Sequence, residues 1–233
     1  MCLAFCSGGM TMADFSMSVL GVYRHDFGSR QHLYKGAEVM LKSGPRVAEA
    51  RSMLVDAFAN THCDWLWMVD DDMTFQPDVL DRLIEAAHPT ERPMVGALCF
   101  IGGEGSRVRP TLYNFTSEDG DMEHVMDYPP DTLVKIGSTG AACVLIHRSV
   151  FAAMKAKYGV LPDGRKNAYP WFQEGLVNKH GGPYGEDAAF FMKASALGFQ
   201  LHVHTGIKCG HLKTYEVNEE MFLASRPAKT EAA

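Results

Sequence analysis

The stretch Asp64-Trp65-Leu66-Trp67-Met68-Val69-Asp70-Asp71-Asp72-Met73 constrains this chain more than any other. Its apolar run, Trp65 to Val69, is short, aromatic and β-branched, which predicts a buried β-strand rather than a helix. Three adjacent carboxylates follow at once. They repel one another, and a positive group among them relieves the repulsion. A Mg²⁺ or Mn²⁺ ion takes hard oxygen ligands, and one that also holds phosphates needs only one or two carboxylates. The alternative is an acidic turn that caps the next helix. Placement at the carboxyl end of a buried strand favours the metal, because open α/β sheets bind ligands there.

The flanking sequence supplies the rest of such a sheet. Cys2 to Cys6 reads as a strand ending in Ser7-Gly8-Gly9, a turn whose glycines let backbone N–H groups approach a ligand. A helix is expected from about Ala13 to Tyr23, and residues 31 to 42 suggest one or two short strands. Pro45 opens a helix from Val47 to about Asn60. Its apolar positions Val47, Met53, Leu54, Ala57 and Phe58 recur at helical spacing and leave Arg46 and Arg51 off the core stripe. That helix leads directly into the acidic strand. Pro77-Asp78 begins another, through about Ala87, and Met94 to Phe100 is a further buried strand. The order β-α-β-α-β predicts an α/β sheet with parallel strands.

Beyond residue 101 the pattern is less regular. A Gly- and Arg-containing loop is expected over 102–109, a strand over Thr111 to Phe115, and a polar acidic excursion over 116–131. Strands at Leu133 to Gly137 and Ala141 to His147 flank Ser138-Thr139-Gly140, and a helix spans Ser149 to about Tyr158. Residues 161–170 read as a surface loop. Gly185-Glu186-Asp187 then opens a helix that ends at Gly198. Two carboxylates at a helix start serve either as caps or as working groups. Strands at Gln200 to His204 and Ile207 to Leu212 complete the pattern, with His211 behind a glycine. The tail, 226–233, reads as disordered.

Composition narrows the class. A 46% hydrophobic content over 233 residues suffices for one large core or two fused halves. A net charge of −6 argues against broad nucleic-acid binding through a basic surface. The cysteines form no CxxC pair and lie mostly in apolar runs, which predicts reduced, core-filling thiols. No apolar run approaches membrane-spanning length, so no membrane association and a cytoplasmic location are expected.

Taken in order, these features resemble the GT-A fold glycosyltransferases, especially the family 2-like group and its phage and bacterial members. The resemblance covers roughly residues 2 to 215. Its most specific parts are WLWMVDDDMTFQPDVLDRLIEA, similar to the family's DxD segment, and YGEDAAFFMKASALGFQLHVHTGIKCGHL, similar to its acidic-helix-strand-His ending. It implies a Rossmann-like α/β fold with a mostly parallel central sheet flanked by helices. Residues 1–101 would form the donor half and 102–225 the acceptor and catalytic half, with the host cytoplasm the setting if phage-encoded.

The resemblance implies roles residue by residue. Asp70 and Asp72 match the outer positions of the DxD motif, with Asp72 the direct ligand of Mn²⁺ or Mg²⁺. Asp70 or Asp71 would contact the ribose, or the metal through water. His211 matches a late histidine that completes the metal site. Arg51 matches an arginine that contacts the nucleotide, and Ser7 and Gly8 lie where the first loop cradles the base. Asp187 matches the catalytic base of inverting members, with Glu186 beside it, and the helix dipole would keep Asp187 ionised. The chemistry is metal-dependent transfer of a sugar from a nucleotide-diphosphate sugar to an acceptor hydroxyl. A retaining enzyme and a non-catalytic nucleotide-sugar or glycan binder are the alternatives. The first strand lacks the family's proline, and Ser52 stands where an Asn is expected, so nucleotide identity stays open. The acceptor is equally open: a protein side chain, a modified nucleobase, a glycan or a metabolite. Trp171, Phe172 and Tyr184 are candidate sugar-stacking aromatics.

Overall fold

A computed structural model describes residues 1–33, 35–42, 46–103, 106–116, 121–178 and 180–214. Strand β1 (Cys2–Ser7) leads to α1 (Ala13–Gly28), β2 (Ala37–Lys42), α2 (Val47–Ala59) and β3 (Trp65–Val69). After the acidic turn come the short β4 (Met73–Thr74), α3 (Val79–Ala86) and β5 (Met94–Leu98). Two antiparallel pairs follow: β6 (Phe100–Gly103) with β7 (Ser106–Pro110), and β8 (Tyr113–Phe115) with β9 (Met122–His124). The chain continues through β10 (Leu133–Ile136), β11 (Cys143–His147), α4 (Arg148–Tyr158), α5 (Glu186–Ser195), β12 (Leu201–Lys208) and β13 (Gly210–His211).

Seven strands form the central sheet in the order β10-β12-β5-β11-β3-β1-β2. Strand β1 is parallel to β2 and β3, and β12 is parallel to β5. Strand β11 opposes both β3 and β5, and β10 opposes β12. Five strands therefore share one direction, and the sheet is mostly parallel, as expected. Strands from residues 1–101 and from 102 onward share it.

Helices cover both faces, so the central strands are apolar on both sides. Within β3 the side chains alternate between two cores. Leu66 and Met68 join Phe58, Phe151, Trp171 and Phe190 on one face. Trp67 and Val69 join Phe15, Leu80 and Leu83 on the other. Five of the cysteines, Cys2, Cys63, Cys99, Cys143 and Cys209, are buried free thiols that fill these cores.

The expected loop at 102–109 is instead the β6–β7 pair. Gly102 permits it, with φ of +119° and the carbonyl oxygen of Arg107 only 2.7 Å from where a Cβ would stand. The two expected terminal strands are one eight-residue strand, β12, with a register shift between His204 and Lys208, followed by the short β13. Helix α1 runs past Tyr23 to Gly28. Pro45 and the tail at 226–233 lie outside the described residues. Among the described residues, no helix is long and apolar enough to cross a membrane.

Candidate active site

The carboxyl ends of the parallel strands carry an acidic cluster built around Arg51. Helical periodicity set this arginine off the apolar stripe of α2, yet it is only 4% exposed. Its Nη1 donates to Glu186 Oε1 and Asp187 Oδ1, each at 2.6 Å. Its Nη2 donates to both oxygens of Asp70, at 2.9 and 3.0 Å. The Phe172 ring lies beneath, 5.8 Å from Cζ. Three carboxylates from two distant segments thus bury the guanidinium that apolar patterning left outside. Arg51 reaches the predicted nucleotide contact Asp70 directly. Nε stays buried with no hydrogen-bond partner among the described residues.

The electrostatics follow from the count of charges. Burial opposes the charge on Arg51, but Asp187, Asp70 and Glu186 outweigh it and hold the group above its ordinary pKa. Burial pushes Asp187 up, Arg51 pulls it down, and Glu186 and Asp70 push it up again, to about 6. Desolvation and the neighbouring carboxylates therefore raise a pKa that the helix N-terminus alone would lower, and the group still ionises at neutral pH. Asp187 starts α5, its carboxylate also accepts a backbone hydrogen bond from Ala141, and its side chain keeps 26% exposure. Gly140 faces it, with a Cβ position 3.9 Å from Oδ2.

A second pair lies on the β4–β13 ribbon, where Gly210 faces Thr74 and His211 faces Met73. The Leu212 amide donates to the Asp72 carbonyl at 2.7 Å, which fixes the turn against β13. His211 Nε2 stands 2.9 Å from Asp72 Oδ2, and its Nδ1 is 3.0 Å from the Phe100 carbonyl. That carbonyl can only accept, which assigns the ring proton of a neutral imidazole to Nδ1. In that neutral form Nε2 presents a lone pair toward the carboxylate oxygen and a positive group between them relieves the contact, whereas a protonated ring donates to Asp72 directly. Here the Lys213 ammonium contacts Nε2 and lies 3.7 Å from Asp72 Oδ2.

This donor set fits a divalent ion. A ring N–H donated to a backbone carbonyl is how metal-binding histidines are oriented, and one imidazole with one carboxylate leaves room for phosphate and water oxygens. Asp70 faces Arg51 and Asp72 faces His211. Among the described residues, no group of three or more His, Cys, Asp or Glu side chains is placed to hold an ion.

The other named positions are more peripheral. Asp71 is half-exposed on the turn. Ser7 is buried, and its Oγ accepts from the Gly9 amide at 3.2 Å, while Gly8 is exposed on the same sheet edge. Among the described residues, no hydrogen bond links Ser7 or Gly8 to either carboxylate cluster. Trp171, Phe172 and Tyr184 are 2%, 1% and 7% exposed, so they are packed in the protein and not open to stack on a sugar. Lys213 was missed by sequence reasoning, and its only signal is its place two residues beyond His211.

No family model matches the sequence, and no curated protein matches it. In structure the chain is similar to A197 from STIV, with a TM-score of 0.54 at 15% identity, over 91% of this chain and 85% of that one. It is also similar to GalNAc-T7, whose crystal structure holds UDP, GalNAc and Mn²⁺, with a TM-score of 0.56 at 12% identity. That match covers 92% of this chain and 44% of GalNAc-T7, so the chain spans less than half its length. Such identities show the fold alone. The fold is the mixed α/β, GT-A-like one that the sequence resemblance implied.

Proposed function

We propose that the chain is a glycosyltransferase that moves a sugar from a nucleotide-diphosphate sugar to an acceptor hydroxyl. The observation that carries this reading is the Asp72–His211 pair at 2.9 Å, beside the acidic cluster that contains Asp187. The fold shared with GalNAc-T7, whose structure holds UDP and Mn²⁺, supports the same donor class.

In this reading Asp72 and His211 hold Mn²⁺ or Mg²⁺, and Lys213 vacates the position or turns to the phosphates. The ion supplies Lewis-acid neutralisation of the leaving diphosphate. Asp187 takes the proton of the acceptor hydroxyl as that oxygen bonds to the anomeric carbon and the bond from that carbon to the diphosphate breaks. A carboxylate with a pKa near 6 is a stronger base than an ordinary one, yet is ionised at neutral pH. Arg51 holds Asp187 Oδ1, which leaves Oδ2 to serve the acceptor hydroxyl, as an inverting transfer needs. Asp71 would contact the ribose, with Asp70 held by Arg51 beside it, and Ser7 and Gly8 would border the base.

The test is a thermal-shift screen of nucleotide diphosphates with Mn²⁺, followed by product assay with the matching sugar donor. A stabilising nucleotide, with turnover lost in Asp72→Ala and in excess chelator, supports the reading. Full turnover in chelator sinks the metal assignment. One observation favours a second reading, binding without turnover: Arg51 occupies an oxygen of both Glu186 and Asp187. That reading predicts nucleotide binding with no product and no response to Asp187→Asn.

A further inference from the structure

The aromatic side chains that could have stacked on a sugar are buried, but a neighbour of theirs is not. A cavity of about 340 Å³ opens at the start of α2, between Arg46 and Glu49 on one side and Asn167, Tyr169, Gln173 and Glu174 on the other. Its volume falls in the range of small-molecule sites. Tyr169 is half-exposed there and offers an aromatic surface.

The polar wall is held in place from behind. Asn167 donates through Nδ2 to the Tyr158 carbonyl at 3.0 Å, and its Oδ1 accepts from the Tyr169 amide at 3.2 Å. Gln173 Oε1 accepts from the Lys193 ammonium at 2.8 Å, which leaves the side-chain NH₂ of Gln173 as a donor. Lys193 is itself buried and donates to the Pro170 and Trp171 carbonyls, each at 3.2 Å. Arg46 Nη1 donates to Glu49 Oε1 at 2.6 Å. Asn167 and Gln173 are thus preorganised before any ligand enters.

Charge selects the ligand class. One guanidinium faces two carboxylates, Glu49 and Glu174, which disfavours an anion. Arg46 neutralises Glu49, which leaves no concentrated negative site for a metal ion. What remains is a set of carboxylate acceptors, an amide donor and an aromatic surface, suited to a neutral ligand rich in hydroxyl groups. One buried ring, Phe172, separates the cavity from the acidic cluster. Phe172 lines it, stacks on Phe190 of α5 at 4.6 Å, and lies under Arg51, which holds Asp187.

We infer that this cavity binds a neutral saccharide as an outer part of the acceptor site, one ring away from Asp187, an assignment that rests on the glycosyltransferase reading. The test is calorimetric titration of the full chain with glucose, galactose, N-acetylglucosamine, maltose and cellobiose, with glucuronate as the anionic control. UDP with Mn²⁺ is titrated in parallel. At least one neutral sugar should bind more tightly than glucuronate, and Tyr169→Ala should weaken it at least tenfold. Glu174→Gln, at an exposed position, should weaken it several-fold and guards against a folding defect in the first variant. Binding of UDP with Mn²⁺ but of no neutral sugar, or sugar binding indifferent to both variants, overturns the inference and leaves the glycosyltransferase reading standing. Sugar binding that responds to both variants, without any nucleotide binding, overturns the acceptor role and the glycosyltransferase reading together.

Discussion

One guanidinium facing three carboxylates makes Arg51, Asp70, Glu186 and Asp187 a single electrostatic unit. Removing the cation should be more damaging than removing any one anion. Arg51→Met leaves the carboxylates clustered without it and should cost ~3–5 kcal/mol in a urea melt. Arg51→Lys, which keeps the charge but not the planar fork, should recover part of that. An unchanged midpoint in Arg51→Met would show that the cluster does not stabilise the fold. Asp187 adds a pH dependence of definite sign. Its folded pKa, about 6, lies above the ordinary 3.8, so the folded chain binds this proton more readily than the unfolded one. The associated stability is fully present below about 4 and is lost as pH rises through 6. Asp187→Asn should therefore raise the melting temperature more at pH 8 than at pH 4, relative to the parent chain. In the proposed reaction the parent's kcat/KM should rise with pH through about 6, and Asp187→Asn should lower kcat ~10²–10⁴-fold.

At the scale of elements, two short strand pairs hold the Asp72–His211 arrangement. The β4–β13 ribbon sets the two residues side by side, and β6 supplies the Phe100 carbonyl that orients the imidazole. The β6–β7 pair depends on the backbone of Gly102, where an added Cβ would meet the Arg107 carbonyl oxygen at 2.7 Å. Gly102→Ala should destabilise the chain by ~1–3 kcal/mol. It should also reduce the thermal shift produced by UDP with Mn²⁺, because the histidine loses its fixed carbonyl. A full-size shift in that variant would separate the hairpin from the site. Sequence reasoning read this hairpin as a loop, since strands of five residues or fewer, with glycines and arginines, carry little apolar alternation.

At the scale of the whole molecule, two apolar cores on opposite faces of the sheet close the fold, and neither includes Asp72 or His211. Chelator should then leave the melting temperature of the ligand-free chain unchanged while abolishing any shift caused by UDP with Mn²⁺. Loss of stability in chelator alone would show a structural ion. The sequence by itself determined the helices, the parallel-leaning sheet and the buried strand ending in Asp70. Contiguous apolar runs and helical spacing report which faces must leave water, and that information is local. Only the tertiary structure decided the partners of the polar groups. Arg51 is buried because α5 brings Glu186 and Asp187 to it from 135 and 136 residues away. His211 meets Asp72 across 139 residues because β13 pairs with β4. Tyr169 lines the cavity as a half-exposed ring, while Phe172 is buried in its wall and Trp171 does not reach it, because of how a loop lies against α2. Such pairings depend on strand order and loop path, and periodicity along the chain encodes neither. The acidic triplet was legible as a candidate site, but its division into an arginine-held Asp70 and a histidine-paired Asp72 was set by where the sheet delivers their partners.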